Sequence, residues 1–312
     1  MVAARLNHLV LIVDDCKLAD HFKAMGGPVE IIVEAGQAKA QQALAAVRNC
    51  LHTLECRYSR YRNDSLVQRI NQLAGAPQWV DIDEEFNSLL DHAQTMYAES
   101  AGRFDLTSGV FRKLWDFSAR KVDDEQQLAC IRPLVGWEKL ERRYHASRAQ
   151  VRLAKPGMEI DFGGIVKEFA VDASIQCLRE LGIKHALVNM AGDLRVLGRQ
   201  RSGAPWLVGI QHPRDPDRLI AQIPLVDTAL ATSGDYARRL TVGDQRFSHL
   251  IDAKTARPVK AWQSISVLAP TTLMAGTCST IAMLLEAEAL TYLRQKQLRF
   301  LAIAHDGEVF LH

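Results

Sequence analysis

No run of apolar residues in this chain approaches the ~20 that a membrane-spanning helix needs, so a membrane protein is not the expectation. Pairing of the C-x-x-C type is also missing. The six cysteines (Cys16, Cys50, Cys56, Cys130, Cys177 and Cys278) are dispersed, and only Cys50 and Cys56 lie close together. This predicts reduced, mostly buried thiols. Charge of one sign is not in excess: the formal balance is +2 and the basic residues are scattered, which gives no stripe for nucleic acid. There is no internal repeat, low-complexity tract or obvious linker. The N-terminal His8-Leu9-Val10-Leu11-Ile12-Val13 is too short for the apolar region of a signal peptide and runs into Asp14-Asp15. Cys16 follows those acids and does not read as a lipidation site. A cytoplasmic protein without a membrane span is therefore expected.

What remains is globular. A chain of 312 residues, 48% hydrophobic and 24% charged, can bury a large core as one big domain or two ordinary ones. Residues 1–21 read as an N-terminal extension, with a short strand and turn. Val29–Val33 reads as a strand. From Ala38 to Arg57, Leu44, Val47, Leu51 and Leu54 share one helical face. A second helix is predicted from Asp64-Ser65 and a third from Asp83, which Gly102 stops. The second half turns to strands: 186–189, 194–197, 206–211, 220–225 and 264–269 are β-branched or alternating runs between turn residues. Helices are predicted over 164–181, ended by Gly182, and over 274–285 and 286–295. Arg299–Ala304, an Asp306-Gly307 turn and Val309–Leu311 close the chain as a hairpin. Helices followed by meandering strands predict an α+β fold with a mostly antiparallel sheet flanked by helices.

Five polar clusters interrupt this pattern. Glu159-Ile160-Asp161-Phe162-Gly163-Gly164-Ile165-Val166-Lys167 places an acid, two glycines and a lysine at the mouth of a helix, which suits close backbone approach to a phosphate. Asn189-Met190-Ala191-Gly192-Asp193 and Ala231-Thr232-Ser233-Gly234-Asp235-Tyr236 each run from a strand into a turn. His249-Leu250-Ile251-Asp252 reads as a strand with His249 and Leu250 on opposite faces. Ala275-Gly276-Thr277-Cys278-Ser279-Thr280 opens a helix with small residues and hydroxyls. Singly, each is equally well a capped turn or a packing device.

In this order the five resemble the flavin transferase family, FAD:protein FMN transferase or ApbE, from about residue 22 to the C-terminus. Earlier landmarks agree: Ala24-Met25-Gly26-Gly27, Ser59-Arg60-Tyr61 with Asp64-Ser65 and Asn71, and Gly102-Arg103-Phe104-Asp105-Leu106-Thr107 with Leu114-Trp115. The resemblance implies a single large ApbE-like domain over residues 22–312. It also implies FAD as substrate, Mg²⁺, release of AMP, and transfer of FMN to a Ser/Thr of an acceptor flavoprotein. Carried over by position, Met25 and Tyr61 are flavin-pocket residues, and Arg103, Phe104 and Asp105 hold the flavin nucleotide. Asp161, Lys167, Ser233, Asp235 and Leu250 line the FAD site, and His249 lies beside the reacting atoms. Gly164 (through its carbonyl), Ser279 and Thr280 are the implied metal positions. The family works mostly outside the cytoplasm, against the location expected above.

The departures are specific. Gly276 stands where the family carries a metal-binding acid. Val166 and Glu168 flank Lys167 where small residues are common, with Glu168 adding negative charge near the phosphate site; Gly27 replaces a threonine, and Ala191 and Ala253 replace a glycine and a proline. Magnesium prefers hard oxygen ligands with one or two carboxylates. Loss of the acid at 276 predicts weak metal binding unless Asp193, Asp235 or Asp252 moves in. A catalytically impaired FAD-binding carrier, sensor or assembly protein is the alternative reading. An FAD pyrophosphatase would need the same metal.

Overall fold

A computed structural model describes residues 9–14, 17–115, 125–235, 239–242 and 245–312. Its strands are β1 (Leu9–Asp14), β2 (Lys17–Ala24), β3 (Gly27–Glu34), β4 (Val80–Ile82), β5 (Leu140–His145), β6 (Arg148–Leu153), β7 (Ala186–Met190), β8 (Asp193–Leu197), β9 (Trp206–His212), β10 (Asp215–Leu225), β11 (Ala229–Gly234), β12 (Arg239–Val242), β13 (Gln245–Ser248), β14 (Ile251–Asp252), β15 (Arg257–Pro258), β16 (Trp262–Ala269), β17 (Arg299–Ala304) and β18 (Val309–Leu311). The helices are α1 (Gln37–Tyr58), α2 (Leu66–Gln72), α3 (Glu84–Glu99), α4 (Glu125–Ile131), α5 (Val166–Glu180), α6 (Thr272–Leu285) and α7 (Ala289–Gln295).

Nine strands form one sheet in the order β1-β2-β3-β7-β8-β11-β16-β17-β18, and every pairing between them is antiparallel. The α+β expectation with a mostly antiparallel sheet is met. Helix α1 packs on β2 and β3, α5 on β7 and β8, and α6 on β11 and β16. Their apolar faces meet the sheet in the main core, where Ile31, Val47, Leu51, Val171, Ile175, Ile265 and Ile281 lose all solvent contact. On the opposite face, Trp206, Val208, Ile210 and Leu225 of the β9–β10 hairpin cover Val196, Leu230 and Ile303. The sheet is thus sandwiched between helices and a hairpin.

Local chemistry explains the boundaries. Ser65 and Asp83 cap α2 and α3 by accepting the Gln68 and Phe86 amides. Gly182 ends α5 with its amide on the Arg179 carbonyl. Helix α6 starts two residues before the predicted Met274, because the Thr271 hydroxyl accepts the Met274 amide. The segment predicted as a helix over 286–295 begins with a 3₁₀ turn and a Glu286 at positive φ, so α7 starts only at Ala289. By length and composition, Thr272–Gln295 could cross a membrane, yet 67% of its most apolar window is buried inside this fold.

Two expectations are corrected. His249 and Leu250 sit between β13 and β14 rather than within a strand, where the Leu250 amide turns to the Ser248 hydroxyl. Among the described cysteines only Cys278 is buried; Cys50, Cys56 and Cys177 are half-buried and Cys130 is exposed, and all five are free thiols. Cys16 lies outside the described residues. In the segment read as an extension, β1 and β2 continue the main sheet, and Leu18, Ala19 and Asp20 of β2 are buried. Asp20 is held there by Arg48 of α1.

Candidate active site

Two tight turns stand side by side at one end of the sheet. Met25-Gly26 joins β2 to β3 and Ala191-Gly192 joins β7 to β8, with both residues of each turn at positive φ. Such two-residue turns match the twist of the strands they join. The Ala191 amide bonds the Pro28 carbonyl, so the turns are stitched together. A side chain at Gly27 would press on the Ala191 Cβ at 3.0 Å. The two departures noted at 27 and 191 are therefore neighbours, small against small. The half-buried Met25 packs against the core while its amide bonds Glu55.

Beside these turns the 104–109 and 159–164 segments run together. The Asp161 amide bonds the Leu106 carbonyl, and Ser108 and Glu159 form a parallel bridge. Phe162 anchors the second segment. Its ring is fully buried 5.5 Å from Tyr58 and 5.1 Å from Phe86, worth about 1.5–3 kcal/mol of burial. Phe104 lies over Gly164, where an added Cβ would come within 3.3 Å of its ring. Asp161 accepts the Gly163 amide and pairs with Arg60 at 2.8 Å. Although burial works against its charge, Asp161 holds the Arg60 guanidinium above its usual pKa. Arg60 also donates to the Tyr61 hydroxyl, and Tyr61 itself is 77% exposed, an open aromatic face at the rim. Asp105 is buried and turned onto the Thr107 amide and hydroxyl; burial raises its pKa. Arg103 reaches Asp252 at 2.5 Å and accepts the Ala253 amide, which brings the His249–Asp252 segment to this side, with His249 and Leu250 half-buried.

The mouth of α5 faces the first turns of α6. Lys167 is paired with Asp193, whose other oxygen accepts the Thr232 amide. On α6, Gly276, Ser279 and Thr280 share one face by their spacing. Ser233 of β11 meets Ser279 at 2.8 Å and Thr280 at 3.1 Å, and the Ser279 hydroxyl donates to the Gly276 carbonyl. Asp193 thus ties Lys167 to β11, whose Ser233 meets Ser279 and Thr280. Asp235 is turned away, both oxygens on Arg214 at the tip of the β9–β10 hairpin, and Tyr236 lies outside the described residues.

All three acids considered as stand-ins for the missing carboxylate are engaged: Asp193 by Lys167, Asp235 by Arg214 and Asp252 by Arg103. A different acid occupies the vacated space. Glu168, one residue past Lys167, is only 6% exposed and lies against Gly276; a Cβ there would overlap its Cγ and approach its Cδ at 3.1 Å. Its Oε1 is 3.3 Å from Lys167, while Oε2 is, among the described residues, the one buried carboxylate oxygen without a hydrogen-bond partner. No three His, Cys, Asp or Glu side chains gather as a metal centre among the described residues. The side-chain oxygens here are the Ser233, Ser279 and Thr280 hydroxyls and the Glu168 carboxylate, an all-oxygen set that suits a hard cation.

The sequence reading missed Arg60, Arg214 and His92 as neighbours of the site, and it placed Glu168 beside Lys167 without its contact to Gly276. His92 of α3 meets the Thr277 hydroxyl at 2.7 Å, and burial lowers its pKa despite the nearby charge of Glu168. Arg60 stood in the Ser59-Arg60-Tyr61 landmark and Glu168 next to the lysine that ends the 159–167 cluster; His92 and Arg214 carried no local signal.

The ApbE family model matches residues 25–303. The FAD:protein FMN transferase of Haemophilus influenzae is 30% identical over 255 residues, covering 80% of this chain and 73% of that protein. The flavin transferase ApbE of Vibrio cholerae superposes with a TM-score of 0.81 at 25% identity, over 95% of this chain and 96% of that one. An ApbE protein of Thermotoga maritima gives 0.85 at 24% identity, covering 95% and 96%, a likeness of fold. The chain belongs to the ApbE family.

Proposed function

We propose that this protein is an FAD:protein FMN transferase, moving the FMN half of FAD onto a Ser or Thr hydroxyl of a partner flavoprotein and releasing AMP. The observation that carries this reading is the convergence of Lys167, the mouth of α5 and the Ser233–Ser279–Thr280 hydroxyls on one corner, with the Phe104–Gly164 contact and the exposed Tyr61 nearby. That is a cationic and oxygen-rich end for a pyrophosphate beside aromatic surface for a ring system.

In the reaction the acceptor oxygen attacks the phosphorus of the FMN half. The bond from that phosphorus to the bridging oxygen breaks, AMP leaves with the bridging oxygen, and the acceptor proton goes to a base. Catalysis of this kind is mostly positioning and charge neutralisation. Lys167 supplies positive charge to the pyrophosphate when its pairing with Asp193 gives way, and the first-turn amides of α5 add to it. His249 is the group assigned to take the proton. Held by the Gly164 carbonyl, Ser279 and Thr280, a magnesium ion would neutralise phosphate charge.

The test incubates the protein with FAD, Mg²⁺ and an acceptor domain carrying a Ser/Thr flavinylation motif. AMP is followed by chromatography and acceptor-bound flavin by in-gel fluorescence. Transfer lost in His249→Ala and in Lys167→Met is the expected result. FAD that binds and emerges uncut would favour the carrier alternative, FMN and AMP without labelling would favour hydrolysis, and labelling that survives His249→Ala would remove that residue's role.

A further inference from the structure

We propose that Glu168 supplies the metal-binding carboxylate that Gly276 lacks, so that the acid of the cation site has moved from α6 to α5. The inference rests on the transferase reading for the identity of the site, and on four observations for the relocation. Glu168 is more than nine-tenths buried, which is costly for a carboxylate without compensation. One of its oxygens contacts Lys167 and the other has no partner. Its stem fills the volume that any side chain at 276 would need, so an acid at 276 and Glu168 in this position exclude each other. Finally, Gly276 lies one helical turn from Thr280, so a carboxylate resting on Gly276 reaches the face that presents Ser279 and Thr280.

The two departures read separately from the sequence thus become one exchange. A small residue next to Lys167 and an acid on α6 are replaced by an acid next to Lys167 and a glycine on α6. Carboxylate charge at the corner is conserved while its attachment changes. A counter-ion role alone does not account for the arrangement, because Lys167 is already paired with Asp193 and the unpartnered oxygen of Glu168 is not the one facing Lys167.

The test is Mn²⁺ binding to the intact protein, followed by the loss of the free-ion electron paramagnetic resonance signal, a readout independent of turnover. The proteins are the wild type, Glu168→Gln, Gly276→Asp and the exchange variant Glu168→Gly/Gly276→Asp. Wild type is expected to bind, and Glu168→Gln, which keeps the shape, to bind at least about ten-fold more weakly, since ligand charge count tunes such sites. Gly276→Asp alone is expected to lower Tm, because its side chain meets Glu168, and the exchange variant to recover both Tm and Mn²⁺ binding. Wild-type affinity in Glu168→Gln, or no Mn²⁺ binding by the wild type, overturns the proposal. The two readings fail separately: Glu168-dependent Mn²⁺ binding without FMN transfer sinks the transferase assignment alone. Transfer by a protein whose Mn²⁺ affinity ignores Glu168 sinks this inference alone.

Discussion

Helices α5 and α6 meet at the candidate site but are built differently. Helix α6 leaves only Leu273 and Met274 outside its buried set, and its middle is small and hydroxylic: Gly276, Thr277, Cys278, Ser279 and Thr280. Helix α5 buries one stripe, from Val166 through Val171 to Leu178, and keeps Gln176, Arg179 and Glu180 in water. The helix with no wet side can carry few charges, so the charged groups that serve the shared corner come from the other. Asp172 of α5 accepts the Thr272 and Leu273 amides at the start of α6, and it also binds Arg195. Glu168, one turn earlier on α5, lies against Gly276. Helix α5 thus supplies α6 with a cap and a carboxylate that α6 does not have on its own chain.

The largest effect expected from this contrast is in packing. Ile281→Ala, in the fully buried part of α6, should cost about 2–5 kcal/mol by transfer and cavity terms, while Gln176→Ala on the wet face of α5 should stay within about 0.5 kcal/mol. Urea midpoints measure both, and equal shifts would break the contrast. An intermediate effect is expected at the junction. Asp172→Ala strands two amides and the Arg195 guanidinium, for about 1–3 kcal/mol, with Asp172→Asn milder. A loss no greater than that of Gln176→Ala would mean that α6 caps itself through Thr271. The smallest effect is kinetic and sharpens the difference in burial. Burial raises the thiol pKa of both Cys177 on α5 and Cys278 on α6; Glu180 adds to the rise at Cys177, and Tyr292 and Lys296 oppose it at Cys278. Only the thiolate reacts, so alkylation of half-buried Cys177 should keep increasing above the pH at which ordinary thiols level off. Buried Cys278 should wait for unfolding. Mass spectrometry of pulse-labelled protein separates the two, and equal rates would show that α6 opens as readily as α5.

Much of the fold was legible because periodicity and capping are local. The Leu44-Val47-Leu51-Leu54 stripe, the Ser65 and Asp83 caps and the closing hairpin each sit within a few residues of their cause. The β4-β6-β5 sheet was not legible, since Leu-Glu-Arg-Arg-Tyr-His and Arg-Ala-Gln-Val-Arg-Leu are short and charged and their pairing becomes visible only once the chain has folded. The site divides in the same way. Which segments carry chemistry could be read from their order, but which side chains touch could not. Glu168 looked like added negative charge beside a lysine, and Gly276 like a loss on a distant helix. Only their contact makes them one feature, and no local rule links residues on separate helices.

The turns that frame the site also bear on how the molecule is assembled. Strands β1, β2 and β3 form a meander from neighbouring sequence, but β3 joins the rest of the sheet by pairing Ile31 with Val188, across all five helices α1 to α5 and the small sheet. Pairings this distant in sequence are late and slow, because the intervening loop must be closed first. Met25-Gly26 lies on one side of that seam and Ala191-Gly192 on the other. The two turns therefore do not stand together in any locally folded part of the chain, and they meet only when the longest-range closure in the sheet is complete.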